Sequence, residues 1–418
     1  MRREELAAFG ELAGDAAGGL TSQIHQMHSG IADRVWRAVG PAATPVRVVH
    51  DQIADRSYSA ARRATRGLVS GGVRALGSRR AREGNSIERT VMGRAVVGAV
   101  NGVWGDTMAR RNNGLALTMT LRSGGRDVVL TRGGLRSAYP HATSRLVVFT
   151  HGLCETDDAW MIGARRHIPY GFQLQAELGY TPLYVRYNTG LHISENGRQL
   201  ARLLDQVVAA WPTEVHEVAL IGHSMGGLVG RSACHYSDGA SWCGKVRHVF
   251  TLGSPHLGAP LEQAANAASY LLGRLPETRA LLASPLNLRS VGIKDLRYGY
   301  LVDECWDGQD CDSFLRNTSR EIPFLANASH YFICATISRD ADALSGRLIG
   351  DLLVLRASAW SQQRGQRLRF PIEHYSHLGG ANHFELLNHP AIYRQIRRWM
   401  APRRALPAPS HELEAAPA

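Results

Sequence analysis

The chain has 418 residues, 44% hydrophobic and 20% charged, which allows one large domain with an accessory region, or two domains, around an ample core. Its formal net charge is +12, and Lys245 and Lys294 are its only lysines, so the cationic charge is almost all arginine. No run approaches the ~18 apolar residues of a membrane span. No zinc-finger or RNA-binding aromatic motif points to nucleic acid, and none of the six cysteines stands in C-x-x-C spacing, so no structural metal site is expected.

The opening Met1-Arg2-Arg3-Glu4-Glu5 leads into a broken, glycine-rich segment and reads as lacking a secretory signal. The expectation is a cytoplasmic chain with reduced thiols; Cys305 and Cys311 are the pair to bridge if the protein were exported. Residues 1–112 read as a helical accessory region. Leu20, Ile24, Met27, Ile31, Val35 and Val39 recur at steps of three and four, giving one apolar face that Pro41 and Pro45 end. The region holds 17 arginines against 10 acidic residues. Such a face docks on a neighbouring domain, the preferred reading, or makes peripheral contact with an anionic membrane, the second.

Residues 113–400 read as the catalytic domain. Leu115–Leu121 alternates apolar and polar residues, and Gly124-Gly125 turns it into a second short strand, Asp127–Thr131. The stretch Arg145–Leu153 has the continuous apolar core of a central parallel strand, closed by His151-Gly152-Leu153. Strands and helices then alternate: a strand over Pro182–Tyr187, a helix over Ser194–Trp211 capped by Ser194, and strands over Val218–Ile221, Val246–Leu252 and Tyr331–Ile337. Leu368–His374 is β-like, and a last helix starts near Pro390. This alternation predicts an α/β fold, a mostly parallel sheet with helices on both faces. Residues 261–328 form a long, lid-like insertion, helical over Leu261–Leu282, that reads as a lid or binding loop or equally as a passive decoration, and 401–418 a disordered tail rich in Ala and Pro.

The centre of the chain is Val215–Gly230, VHEVALIGHSMGGLVG. An apolar strand passes without a loop into Gly222-His223-Ser224-Met225-Gly226, and a helix-compatible run follows. G-x-S-x-G in this context is a nucleophile elbow, lifting a serine hydroxyl clear of the backbone where a base and a carbonyl can both reach it. The Met225 amide then sits at a helix N-terminus, where an oxyanion is favoured. An acid and a histidine should follow the serine in chain order, in loops at the carboxyl ends of later strands. His383, in Gly379-Gly380-Ala381-Asn382-His383, is the candidate base, with His374, His377 and His389 as rivals. Asp351 is the candidate acid, with Asp340 and Asp342 as rivals. Leu153, after the strand end His151-Gly152, is the candidate second oxyanion amide; His151 reads as a support for that loop.

The elbow GHSMGG, the strand end HGL, the run TLGSPHLGAP and the ending NHFELLNHPAIY together resemble bacterial esterases and lipases of the α/β-hydrolase superfamily, nearest to those with a PGAP-one-like (GPI inositol-deacylase-like) domain. The resemblance covers about residues 115–400. It implies hydrolysis of a small-molecule or lipid ester through an acyl-enzyme, with no metal or organic cofactor; the lack of binding motifs leaves no nucleic-acid partner expected. Carried over by position, Ser224 is nucleophile, Asp351 acid, His383 base, and Met225 and Leu153 the oxyanion amides. It also implies that Arg186–Gly190 lines the pocket. A thioesterase or acyltransferase on the same fold and a non-catalytic membrane- or protein-binding module are the alternatives.

Overall fold

A computed structural model of the chain describes residues 86–237, 239–259, 289–310, 316–340 and 371–401, together with Arg2, Glu5, Ala8, Val48, Gln52, Asp351, Val354, Gln362, Gln363, Gln366 and Arg367. The faces predicted over Leu20–Val39 and Leu261–Leu282, the tail after Ala401, Cys311 and Asp342 lie outside these residues.

The strands are β1 (Thr120–Ser123), β2 (Arg126–Asp127), β3 (Arg145–Thr150), β4 (Tyr180–Arg186), β5 (Glu217–His223), β6 (Val246–Leu252), β7 (Ser329–Thr336), β8 (Gln362–Gln363), β9 (Gln366–Arg367) and β10 (Tyr375–Gly379). Eight of them form one sheet in the order β10-β7-β6-β5-β3-β4-β1-β2, and β8 and β9 pair separately. Pairing is parallel from β10 across to β4, and antiparallel where β1 joins β4 and β2. The helices are α1 (Val91–Arg110), α2 (Arg132–Ala138), α3 (Tyr170–Leu178), α4 (Ile193–Ala210), α5 (Met225–His235), α6 (Val291–Asp295) and α7 (Pro390–Met400).

Side chains alternate across a strand, so an apolar run must be covered twice. Leu146, Val148, Val218 and Leu220 pack under α4 and α5, against Leu200, Leu204, Leu228 and Val229. Val147, Phe149, Ala219 and Ile221 pack on the other face, against Leu174 of α3 and Ile392, Ile396 and Met400 of α7. These two layers bury the parallel strands and leave their carboxyl ends as the free edge. Among the described residues no helix is long and apolar enough to cross a membrane.

Four sequence expectations are corrected. Only Thr120 and Leu121 of the predicted Leu115–Leu121 strand lie in the sheet, in a strand that runs on to Ser123. Leu115 and Leu117 are instead buried under α1, where the Asn101 side chain donates to Leu115 O at 2.8 Å and accepts from Leu117 N at 2.8 Å. A buried amide thus satisfies backbone groups that a neighbouring strand would otherwise take. The partner strand stops at Asp127, and Thr131 caps α2 by accepting from Gly134 N at 3.2 Å. The first residue before α4 is His192, not Ser194. Glu195 accepts from His192 N at 3.2 Å, while Ser194 Oγ takes the Trp306 indole N–H at 3.0 Å. The last strand is Tyr375–Gly379, because Pro371 opens a single 3-10 turn over Ile372–His374.

α1 belongs to the accessory region by sequence, yet it packs directly on the loop after β3. A Cβ at Gly98 would stand 2.8 Å from Glu155 O, and one at Gly102 would stand 2.2 Å from Cys154 Sγ. The helix reaches that loop only because side chains are missing from this face.

Candidate active site

Ser224 stands between β5 and α5 with φ 52° and ψ −123°, a conformation costly for a residue with a Cβ. The surroundings hold it there. Its N–H donates to Leu252 O of the neighbouring β6 at 2.8 Å. Gly226 lies so close to β3 that a Cβ would come within 2.2 Å of Thr150 O and 2.5 Å of His151 O. Backbone atoms cannot yield as a flexible side chain can. We expect Gly226→Ala to lower stability by roughly 3 kcal/mol or to prevent folding; thermal denaturation measures it, and an unchanged Tm would contradict this packing. Met225 opens α5, so its N–H has no acceptor within the helix and lies at the positive end of its dipole.

Asp351 and His383 meet in the interior. The Nδ1 of His383 lies 2.7 Å from Asp351 Oδ2, with the two side chains 2% and 1% exposed. Asp351 Oδ1 accepts from Val354 N at 2.8 Å, and His383 N donates to Asp351 O at 3.1 Å. The carboxylate is thereby fixed in orientation and turns the other ring nitrogen, Nε2, away from itself. Nε2 is buried and unbonded among the described residues, and no Ser224–His383 hydrogen bond is formed. Burial disfavours the His383 imidazolium, but the charge and hydrogen bond of Asp351, with Glu155 adding, outweigh it and raise the ring's pKa.

Two contacts bring this pair to the elbow. His223 Nε2 lies 3.2 Å from His383 O, and the two rings are 4.7 Å apart. Gly253, just past β6 at φ 62°, would with a Cβ stand 3.0 Å from His383 Cε1. The β6 end therefore touches the His383 ring one residue after accepting the Ser224 amide.

The third part is the loop after β3. A Cβ at Gly152 would stand 3.1 Å from Ser224 Cβ, so this loop lies against the serine. Gly152 N donates to Glu155 Oε2 at 2.6 Å and Cys154 N to Thr189 Oγ1 at 3.2 Å. The Leu153 amide between them makes no hydrogen bond among the described residues. His151 supports the loop from below. It stacks on Tyr187 at 4.3 Å with Nδ1 3.0 Å from Gly152 O, and burial pushes its pKa down to about 4. Arg186–Gly190, expected to line the pocket, is buried and engaged in support. Arg186 pairs with Glu88 at 2.5 Å, Tyr187 OH donates to His151 O at 2.6 Å, and Asn188 donates to Gly105 O at 2.9 Å.

Glu155 is the residue that reading the sequence missed. Its carboxylate accepts from the Gly152 amide and faces His223 Nδ1 at 3.2 Å. Burial alone would raise its pKa, but the His223 ring and the Gly152 amide bring it below the ordinary carboxylate value. It ties the loop after β3 to the residue preceding Ser224. Nothing in its spacing marks it; the one signal was its place just past His151-Gly152-Leu153. We expect Glu155→Gln to lower kcat about tenfold to a hundredfold with the fold intact. Steady-state kinetics beside circular dichroism measure this, and an unchanged kcat would remove Glu155 from the site.

The described rivals make other contacts. His389 caps α7, His377 Nε2 lies 2.8 Å from Thr336 Oγ1, and the His374 ring is 4.6 Å from that of Tyr331. Asp340 is exposed at the start of the loop after β7.

A mostly parallel eight-stranded sheet, helices on both faces and a serine elbow at the end of a central strand define the α/β-hydrolase fold, and this chain has it. Within it, residues 142–318 match the model of the PGAP1-like alpha/beta domain, a stretch that includes Leu153, Ser224 and Met225 and ends before Asp351 and His383. No curated protein matches the chain. Among solved structures, the lipase BlEst2 of Bacillus licheniformis is similar in its propeptide form at 18% identity and a TM-score of 0.42, over 63% of this chain and 52% of that one. This chain therefore spans about half the length of that protein. The mature form of BlEst2 gives 17% and 0.39, over 61% of this chain and 91% of that one. The lin2722 gene product of Listeria innocua gives 12% and 0.35, over 62% and 95%.

Proposed function

We propose that this protein is a serine hydrolase that cleaves carboxylic esters of small-molecule or lipid substrates through an acyl-enzyme. The observation that supports this most is the buried Asp351–His383 pair, 2.7 Å apart, at the sheet edge that carries the strained Ser224. His383 Nε2 takes the Ser224 proton as Oγ attacks the ester carbonyl. The Leu153 and Met225 amides hold the oxyanion of the tetrahedral intermediate. His383 then returns the proton to the departing alcohol, leaving the acyl group on Oγ. Water, deprotonated by His383, attacks the acyl carbon; the acyl–Oγ bond breaks, His383 gives the proton to Oγ, and the acid leaves. Asp351 orients the imidazole throughout and stabilises its charged form.

In this reading residues 113–400 form the hydrolase domain, 1–112 an accessory region and 401–418 a tail. α1 extends the accessory region to the loop that bears Leu153. Among the described residues, Cys154, Cys234, Cys243 and Cys305 form no disulfide with one another, which suits a reducing compartment such as the cytoplasm. Fluorophosphonate labelling, with p-nitrophenyl esters, thioesters and phospholipids as substrates, tests the proposal. Labelling at Ser224 together with ester turnover supports it. Labelling with thioester turnover alone would favour a thioesterase, and neither would leave a non-catalytic module.

A further inference from the structure

The turn between β3 and α3, Ile162-Gly-Ala-Arg-Arg-His-Ile168, is exposed at every position. Ile162 and Ile168 are 43% and 63% exposed, and Phe384 is 46% exposed. Phe384 directly follows His383. Apolar groups gathered beside a candidate site, outside the core, mark a surface that meets something.

The turn is built, not loose. Gly163 O accepts from Arg166 N at 2.8 Å and His167 N at 3.0 Å, and Gln173 donates to Ile168 O at 2.6 Å. Asn388, five residues past His383, donates to Ile162 O at 2.8 Å and accepts from Tyr170 N at 2.9 Å. These bonds fix the turn to the segment that carries the candidate base. Arg165 and Arg166 stand between the two isoleucines.

Charge decides what such a face fits. Residues 159–176 contain no Asp or Glu. The flanking carboxylates are taken: Asp157 faces Arg122 at 3.6 Å, Asp158 pairs with Arg94 at 2.5 Å and Glu177 with Arg397 at 2.8 Å. Glu385 on the neighbouring segment accepts from Asn382 N at 2.7 Å. Among the described residues Arg165 and Arg166 form no ion pair, and the exposed Ile162 and Ile168 flank them in the chain.

We propose that this face docks on an anionic lipid surface, with Ile162, Ile168 and Phe384 at the headgroup boundary and Arg165 and Arg166 against the phosphates. Cations flanked by aliphatic tips match the two layers of that boundary, charged outside and apolar beneath. This contact is separate from any made by residues 1–112. It deepens the hydrolase reading by placing a lipid ester beside His383, but docking itself needs no catalysis.

The test uses the full chain carrying Ser224→Ala, so that no substrate is consumed. It is sedimented with phosphatidylcholine vesicles and with vesicles of phosphatidylcholine and phosphatidylglycerol in equal parts. Binding to the mixed vesicles is expected, with slowed hydrogen exchange over 162–168. Adding Arg165→Gln with Arg166→Gln should weaken it about tenfold or more, and adding Ile162→Ser with Ile168→Ser should weaken it comparably. In the Ser224 background the isoleucine pair should spare turnover of a soluble short-chain ester and reduce turnover of a vesicle-borne one. Binding that neither double variant alters, or exchange over 162–168 that vesicles leave unchanged, would overturn the proposal and leave a protein partner for this face. Absence of all turnover would sink the hydrolase reading alone, since sedimentation judges docking independently.

Discussion

Replacing Ser224 with alanine should abolish ester turnover to within the residue left by binding and oxyanion donors, a loss of roughly 10⁴-fold or more in kcat. Covalent labelling by a fluorophosphonate should vanish with it. The substitution removes one oxygen and keeps a Cβ, so the elbow at φ 52° meets the same backbone demands as before. The contacts that hold the turn, Leu252 O on the Ser224 amide and the close approach of Gly226 to Thr150, do not involve the hydroxyl. Thermal stability should therefore stay near that of the parent. That separation makes the experiment informative: a folded, unlabelled and inactive variant assigns the nucleophile. Full turnover in Ser224→Ala would end the serine mechanism for this protein.

The second large effect is expected at the buried pair. Asp351→Asn and His383→Asn should each lower kcat by about 10⁴-fold, because the first leaves His383 without its orienting charge and the second removes the base. The pH dependence gives a finer reading. Burial disfavours the imidazolium of His383, and Asp351 more than offsets this, so its folded pKa lies above the ordinary ~6.5 of histidine. Only the neutral ring accepts the serine proton. kcat/KM should therefore rise along an acid limb centred above that value and fall away as pH drops through it. In Asp351→Asn, only Glu155 is left to oppose burial, and the limb should move to lower pH. The sign for stability is opposite to that for activity. A raised folded pKa contributes stability that is full below the unfolded value and lost as pH rises through the folded one. Thermal denaturation of parent and Asp351→Asn across this range should show their gap narrowing toward high pH. An acid limb that Asp351→Asn leaves in place would detach the carboxylate from the base.

What is legible in the amino-acid sequence by itself is local. Ser224 stands out because strand, turn and helix are consecutive residues, and the requirement for close approach writes glycine into both flanks. The stripe of α4 is legible for the same reason, as is the alternation that predicts a parallel sheet. Asp351 and His383 follow less directly, through chain order and the rule that sites gather at the carboxyl ends of strands. Spacing cannot separate them from their rivals, since which carboxylate meets which imidazole depends on where two distant loops fold back. The tertiary structure places Asp351 against His383 and puts His377 on Thr336.

Other features have no local signature at all. Glu155 reads in sequence as one more acidic residue in a polar loop, and its role appears only when His223 arrives from β5. Asn101 reads as a polar interruption in a helix, yet it replaces a strand partner for Leu115 and Leu117. Ser194 looks a better cap than His192 until Trp306 claims its hydroxyl. Propensity and periodicity report what neighbours within a few residues dictate, and these set the strands, the elbow and the helix faces here. Side chains whose partners lie a hundred residues away, as in Glu88 on Arg186 or Asp303 on Arg198, are decided by packing, because only the closed fold fixes which donor reaches which acceptor.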